Sequence, residues 1–206
     1  MRMSDFNFCG GYMPLAGDAA MARHGEILED LRLDLKIAAD GNAQLAAMPA
    51  KEICRTLQHS RQKRSSAVSR ILYAASAVYS HELYFTPLVG ASDHPSLPEG
   101  ESECRLAESF GSVGNFFYLV RTLAGGTTSP GFLWLYEKLS RRGRGLLGIA
   151  RLPLYTIPDL SAVRPLMCID LWEHAYIDRF GRDISGYADA YLRQVDWARI
   201  FGNTEK

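Results

Sequence analysis

The 206-residue sequence lacks paired cysteines, an excess of either charge and any long apolar run. Its cysteines, Cys9, Cys54, Cys104 and Cys168, form no CxxC or CxxH pair, which argues against a disulfide framework or a structural zinc site. The 23 basic and 23 acidic side chains cancel, which is atypical of disordered acidic chains and of nucleic-acid-binding proteins. No apolar run reaches the roughly 18 residues of a membrane span, and no secretory signal is visible. We therefore expect a cytoplasmic protein with reduced thiols.

Helical periodicity dominates the first part of the chain. Apolar residues at spacings of three and four predict a helix over about 19–44, which Gly41 and Asn42 could end or bend. A second helix is predicted after Pro49, and a third over about 67–83. These segments predict a helical N-terminal half.

The second part of the chain mixes helices with strands. Residues 89–102 are rich in Pro, Gly and Ser and form the best candidate linker. A helix broken at Gly111 is predicted over about 103–123, and the C-terminal segment is also helical. Between them, the segments FLWLYEKL, LLGIARLPLY and PLMCID predict three strands. This order of elements predicts an α+β fold.

The strongest local motif is the segment from Asp170 to His174. An Asp and a His four residues apart project from the same side of a helix or tight turn, and both are ordinary ligands of Fe, Mn or Zn. Such pairs also occur as surface contacts or helix caps, although Trp172 and Tyr176 favour a buried setting. His81, on an apolar helix, is a second candidate, but periodicity alone does not connect it to Asp170.

Several motifs resemble those of the iron/manganese superoxide dismutase family. DLWEHAY at 170–176 resembles the signature D-x-W-E-H-A-Y, and AVYSHELYF, around His81, resembles the helix of the second metal ligand. SPGFLWL resembles the strand entry G-W-x-W-L, with Phe132 at the first Trp, and GYADAYLRQVDWARI resembles the last helix. The resemblance implies a helical hairpin domain over 1–90, a domain with a three-stranded antiparallel sheet over 97–206, and a metal site between them.

The resemblance also implies a four-residue metal site. Three ligands carry over to His81, Asp170 and His174. The first ligand, a His on the first long helix, has two candidates here. Counting back from His81 by the spacing of the iron-type members gives Asp34, which we prefer, although a solvated helix residue is a competing interpretation. His24 is the alternative. Compared with the family pattern, it requires a shorter segment before the first ligand and a long insertion after it.

Residues around the implied metal depart from the family pattern. The two alternative positions of a glutamine that tunes the metal become Ala77 and Tyr155. With Asp34 as first ligand, the tyrosine that gates substrate becomes Asn42. Tyr84 matches the tyrosine of the second-ligand motif. The candidate catalytic residues are therefore Tyr155, Asn42 and Tyr84. Tyr155 either acts on the metal site as a hydrogen-bond donor or redox relay, or simply fills the space of the missing glutamine.

These departures shape the functional expectation. Without the tuning glutamine and the gate, rapid dismutation of superoxide is not expected. We expect a mononuclear non-haem Fe oxidoreductase, with Mn as the alternative metal, acting with dioxygen or superoxide on a small organic substrate. The alternatives are a divergent superoxide dismutase and a metal-free binding module. In the family, the glutamate that matches Glu173, beside Trp172, bridges to the metal His of a second subunit, which implies a homodimer.

Overall fold

A computed structural model describes residue 15 and residues 18–61, 65–88, 97–141 and 143–202. Cys9 and most of the predicted linker, residues 89–96, lie outside the described residues. The domain boundary placed in that linker therefore stays a prediction. None of the helices in the described segments combines the length and the apolar composition that crossing a membrane requires.

Four helices form the described part of the N-terminal half. They are α1 (Asp18–Ala38), α2 (Ala43–Ala46), α3 (Ala50–Leu57) and α4 (Ser66–Phe85). The turn after α1 passes through Gly41, whose φ of +85° is readily adopted by glycine. Asn42 then caps α2, because its side chain accepts a hydrogen bond from the Leu45 amide. The long helices α1 and α4 pack against each other, which agrees with the expected helical hairpin.

The C-terminal half contains five helices and three strands among the described residues. They are α5 (Glu101–Phe110), α6 (Val113–Gly125), β1 (Gly131–Lys138), β2 (Leu147–Pro153), β3 (Val163–Asp170), α7 (Glu173–Phe180), α8 (Ile184–Arg193) and α9 (Trp197–Gly202). The predicted break at Gly111 is confirmed, since this residue has a φ of +84° between α5 and α6. The C-terminal helical segment is two helices, α8 and α9.

The sheet is antiparallel in the order β2-β1-β3, which confirms the predicted α+β fold. Phe132 on β1 lies opposite Asp170, the last residue of β3. The start of β1 requires glycine, because a Cβ on Gly131 would lie 2.2 Å from the carbonyl oxygen of Leu152. The register of β1 therefore fixes where the carboxylate of Asp170 emerges from the sheet.

Helix α4 packs on strand β3 and joins the two halves of the molecule. The buried thiol of Cys168 on β3 donates to the carbonyl oxygen of Ser80 on α4, at 3.1 Å. Cys168 thus belongs to the core, as its small apolar character predicts. This contact places His81, the residue after Ser80, beside the end of β3.

A buried ion cluster closes the opposite end of β1. The Glu137 carboxylate accepts hydrogen bonds from Arg105 on α5, at 2.9 Å, and from Arg164 on β3, at 2.6 Å. Arg105 is only 2% exposed and also donates to the carbonyl oxygen of Gly145. Although burial opposes ionisation, the two guanidinium groups lower the pKa of Glu137. Nothing in the sequence pattern predicted this cluster.

Candidate metal centre

Four side chains from four elements converge where the two halves meet. They are His24 from the second turn of α1, His81 near the end of α4, Asp170 at the end of β3, and His174 at the start of α7. We call these four side chains the candidate metal-binding group, or simply the group. Each offers one ligand atom, and these atoms lie within 4.8 Å of one another. Three imidazoles and one carboxylate form a donor set suited to Fe or Mn.

The three imidazoles surround a single carboxylate oxygen. Asp170 Oδ2 lies 3.0 Å from His24 Nε2, 3.1 Å from His174 Nε2 and 3.4 Å from His81 Nε2. The other oxygen, Oδ1, accepts the backbone N–H of Trp172 at 2.8 Å, which fixes the orientation of the carboxylate. Ligands bound at about 2 Å from one ion lie roughly 3 Å apart, so this spacing fits a mononuclear centre.

His81 is oriented as a metal ligand would be. Its Nδ1 lies 2.9 Å from the carbonyl oxygen of Ala77, which can only accept, so Nδ1 carries the proton. Its Nε2 is buried and has no hydrogen-bond partner among the described residues. A buried polar nitrogen without a partner is costly unless something binds it, and an imidazole held through its other nitrogen is a common ligand arrangement.

Electrostatics favour the ligating protonation state at His24, His81 and Asp170, but not at His174. Burial lowers the pKa of His24 and lowers that of His81 to about 4, so both imidazoles are neutral at pH 7. Although burial opposes ionisation, the neighbouring imidazole of His174 holds the pKa of Asp170 well below its usual range. Burial likewise disfavours charge on His174, but the Asp170 carboxylate raises its pKa.

The structure corrects the preference for Asp34 over His24. Asp34 is exposed, lies ten residues further along α1, about 15 Å from His24 at 1.5 Å per residue, and lines a surface cavity with Ala38. The spacing argument failed because the chain from α1 to α4 is ten residues longer than the iron-type spacing assumes.

The expected gate residue Asn42 also falls away from the group. It is exposed beyond the end of α1, where it caps α2. In the family pattern, a gate histidine and the gate tyrosine follow the first ligand by four and eight residues. Counted from His24, these positions are Leu28 and Arg32. Leu28 is fully buried, and Arg32 donates to Glu29 and Glu82. Neither position carries the imidazole or the phenol of the family pattern, so the altered gate persists in the corrected register.

Tyr155, which matches one of the two glutamine positions of the family, lies beside the group. Its ring stacks on Trp172 at a centroid distance of 4.9 Å and lies 6.0 Å from the His81 ring. The preceding residue, Leu154, has a φ of +52°, an uncommon conformation for a side chain of this size. Burial and the charge of Asp170 raise the pKa of Tyr155, so the phenol stays protonated. Its hydroxyl makes no hydrogen bond within the described segments.

Tyr84 supports the group from the core side. Its fully buried ring lies 4.8 Å from the ring of His24, and its hydroxyl accepts from Tyr187 at 3.4 Å. Its backbone carbonyl accepts a hydrogen bond from Tyr191 at 2.7 Å. These contacts hold the Tyr84 ring in place beside that of His24. One sequence signal for His24 is that no other histidine occurs in the first helical region.

A helical hairpin packed on a three-stranded sheet, with three imidazoles around one carboxylate, defines an α+β protein with a candidate mononuclear metal centre. Residues 98–203 match the family model described as iron/manganese superoxide dismutases, C-terminal domain. The chain therefore belongs to the iron/manganese superoxide dismutase family, as the motifs indicated.

Individual relatives are distant. The chain is 24% identical over 139 residues to "Superoxide dismutase [Mn] 2" of Halobacterium salinarum, covering 68% of this chain and 66% of the relative. It is 23% identical over 163 residues to the manganese enzyme of Listeria ivanovii, covering 79% and 76%. It is 27% identical over 129 residues to the iron enzyme of Escherichia coli, covering 63% and 64%. The matches thus span roughly two thirds to three quarters of these relatives.

Proposed function

We propose that the protein is a mononuclear Fe or Mn oxidoreductase whose metal is bound by His24, His81, Asp170 and His174. The convergence of three imidazole nitrogens on Asp170 Oδ2 carries this proposal. The unpartnered Nε2 of His81 supports it independently. With His24 in the group, four side chains are available as ligands.

Superoxide is the substrate that this donor set supports best, and the relatives are named superoxide dismutases. A bound Fe or Mn ion would supply one-electron redox chemistry. Forming hydrogen peroxide from superoxide takes one electron and two protons, and the Tyr155 phenol, which stays protonated, can donate a hydrogen bond beside the group. Ala77 and Leu28 offer no proton, so we expect turnover to be slower than in relatives with the family's polar residues.

The direct test is superoxide consumption by protein purified with its native metal. We expect at least a tenfold higher rate for metal-containing protein than for protein stripped of metal. Tyr155→Phe keeps the ring but removes the hydroxyl, so we expect a lower rate at unchanged metal content. Less than a tenth of an equivalent of Fe or Mn after careful loading would contradict the metal site and favour a metal-free binding module.

Redox chemistry on a small organic molecule is the second candidate function. Tyr155, which lies beside the metal-binding group, also lines a surface cavity of about 380 Å³. Cavities of this size accommodate small ligands. A substrate in this cavity would be separated from His81 by one aromatic ring.

We also propose that the protein forms a two-fold symmetric homodimer. Glu173 is exposed beside the partly exposed His174, and Ile177, on the next turn of α7, is 46% exposed. In this arrangement Glu173 binds His174 of the other subunit, and Ile177 is covered. A symmetric contact repeats both interactions.

Sedimentation velocity tests the dimer. We expect about 46 kDa for the wild-type protein, twice the 22.9 kDa chain. Glu173→Ala should weaken dimerisation at least tenfold, whereas Glu103→Ala, which removes an exposed carboxylate from α5, should not. A monomeric wild-type protein at micromolar concentration would contradict the proposal.

A further inference from the structure

Tyr73 stands between two cavities on the surface of α4. Tyr73 is 52% exposed, although most residues that follow it on α4 are buried. It lines a cavity of about 410 Å³ on the α1 side and the cavity of about 380 Å³ that Tyr155 also lines. The rings of Tyr73 and Tyr155 meet edge to face at 5.2 Å. We call the second space the Tyr73–Tyr155 cavity.

The two cavities differ in charge. The α1-side cavity is lined by Asp34 and Arg70, which carry opposite charges. Among the described residues, no Asp, Glu, Lys or Arg lines the Tyr73–Tyr155 cavity. Gln58 also borders it, but both ends of its amide are engaged, with the Pro158 carbonyl at 2.8 Å and the Leu160 amide at 3.0 Å. Burying a charged ligand against such walls would be unfavourable, so the cavity favours a neutral ligand.

The remaining walls combine apolar surface with hydroxyl groups. The apolar part includes Leu72, Leu154 and Ile157, and the hydroxyls include those of Tyr155 and Thr156. The Tyr155 hydroxyl makes no hydrogen bond within the described residues and can therefore serve a ligand. Aromatic ligands gain from contact with the rings of Tyr73 and Tyr155, in addition to the area that they bury.

The cavity is also coupled to the metal-binding group. Tyr155 stacks on Trp172, and the Trp172 ring in turn lies nearly parallel to that of His174 at 6.2 Å. A ligand resting on Tyr73 and Tyr155 therefore touches a continuous row of rings that ends at a member of the group. Of the two cavities, the Tyr73–Tyr155 cavity is the one that Tyr155 lines.

We infer that the Tyr73–Tyr155 cavity binds a small neutral aromatic molecule that carries a hydroxyl group, a phenol. This inference names the substrate class of the second candidate function. It rests on that function only in treating the ligand as a substrate. Binding itself requires only the cavity. The Tyr155 hydroxyl exchanges a hydrogen bond with the hydroxyl of the phenol, and the ring of Tyr73 contacts the ring of the phenol.

Titration of the metal-containing protein with phenol, followed by ligand-observed NMR, tests the inference. We expect saturable binding of phenol, and at least tenfold weaker binding of cyclohexanol, which lacks the ring, and of benzoate, which carries a charge. Tyr73→Ala should weaken phenol binding at least tenfold. Tyr118→Ala removes a tyrosine that is 66% exposed on α6, outside the cavity, and should leave binding unchanged.

The outcomes separate this inference from the proposed function. Equal affinity for the three probes, or equal affinity of the wild-type protein and Tyr73→Ala, would overturn the cavity assignment even if the protein holds a full equivalent of metal. Phenol binding that depends on Tyr73 in a protein without Fe or Mn would support the cavity and contradict the metal centre. Circular dichroism of Tyr73→Ala confirms that the helices are retained.

Discussion

Replacing His24 by alanine is expected to lower the metal content at least tenfold, whereas replacing Asp34 by alanine is expected to leave it unchanged. The reason is geometric, since His24 Nε2 lies 3.0 Å from Asp170 Oδ2 while Asp34 lies on the surface of the same helix. Loss of residues that merely support a ligand typically costs 10- to 100-fold in affinity, and a ligand contributes at least as much. Metal analysis after loading measures both variants.

His24 is only 2% exposed, so its truncation also leaves a cavity in the core. His24→Gln retains most of the volume and separates metal loss from unfolding, because we expect it to keep its helical signal and still lose the metal. The pair of variants decides between the two candidates for the first ligand. If Asp34→Ala lost metal while His24→Gln kept it, the assignment made from the structure would be wrong.

The sequence predicted the three members of the group that lie in specific motifs. Asp170 and His174 belong to one short segment, and His81 lies in a recognisable helix, so their environment is encoded locally. His24 is different, because its membership depends on how α1 packs against α4 across a connection of variable length. Counting residues across that connection selected Asp34, since chain distance does not report distance in space when a loop can lengthen freely.

The elements of the fold were predictable for the same local reasons. Gly111 and Gly41 mark real helix ends because both have positive φ values. The three strands were evident from apolar, β-branched or aromatic runs. The buried cluster of Arg105, Glu137 and Arg164 was not, because each residue resembles an ordinary surface charge and the cluster forms only when α5, β1 and β3 meet. The Tyr73–Tyr155 contact was missed for the same reason.

That cluster provides the largest stability effect that we expect away from the metal. Glu137→Ala should lower the free energy of unfolding by about 3–5 kcal/mol, because it leaves the buried guanidinium of Arg105 without its counter-charge. The hydrogen bond from Arg105 to the Gly145 carbonyl remains but does not neutralise the charge. Denaturant unfolding measures the change. The lowered pKa of Glu137 means that the stabilisation is present above its ordinary pKa of 4.5 and is lost as the pH falls below it.

An exposed pair on the same side of the molecule is the matched control. Glu101 and Arg144 are both 52% exposed and form an ion pair of 2.7 Å, so Glu101→Ala should cost less than about 1 kcal/mol. If burial is the cause, replacing both partners, as in Arg105→Met with Glu137→Leu, should recover much of the loss. A loss below about 1 kcal/mol for Glu137→Ala would show that water reaches Arg105. Because Glu137 lies at the end of β1 remote from Asp170, the metal content of the folded variant should stay unchanged, which separates the stability of the sheet from the metal centre.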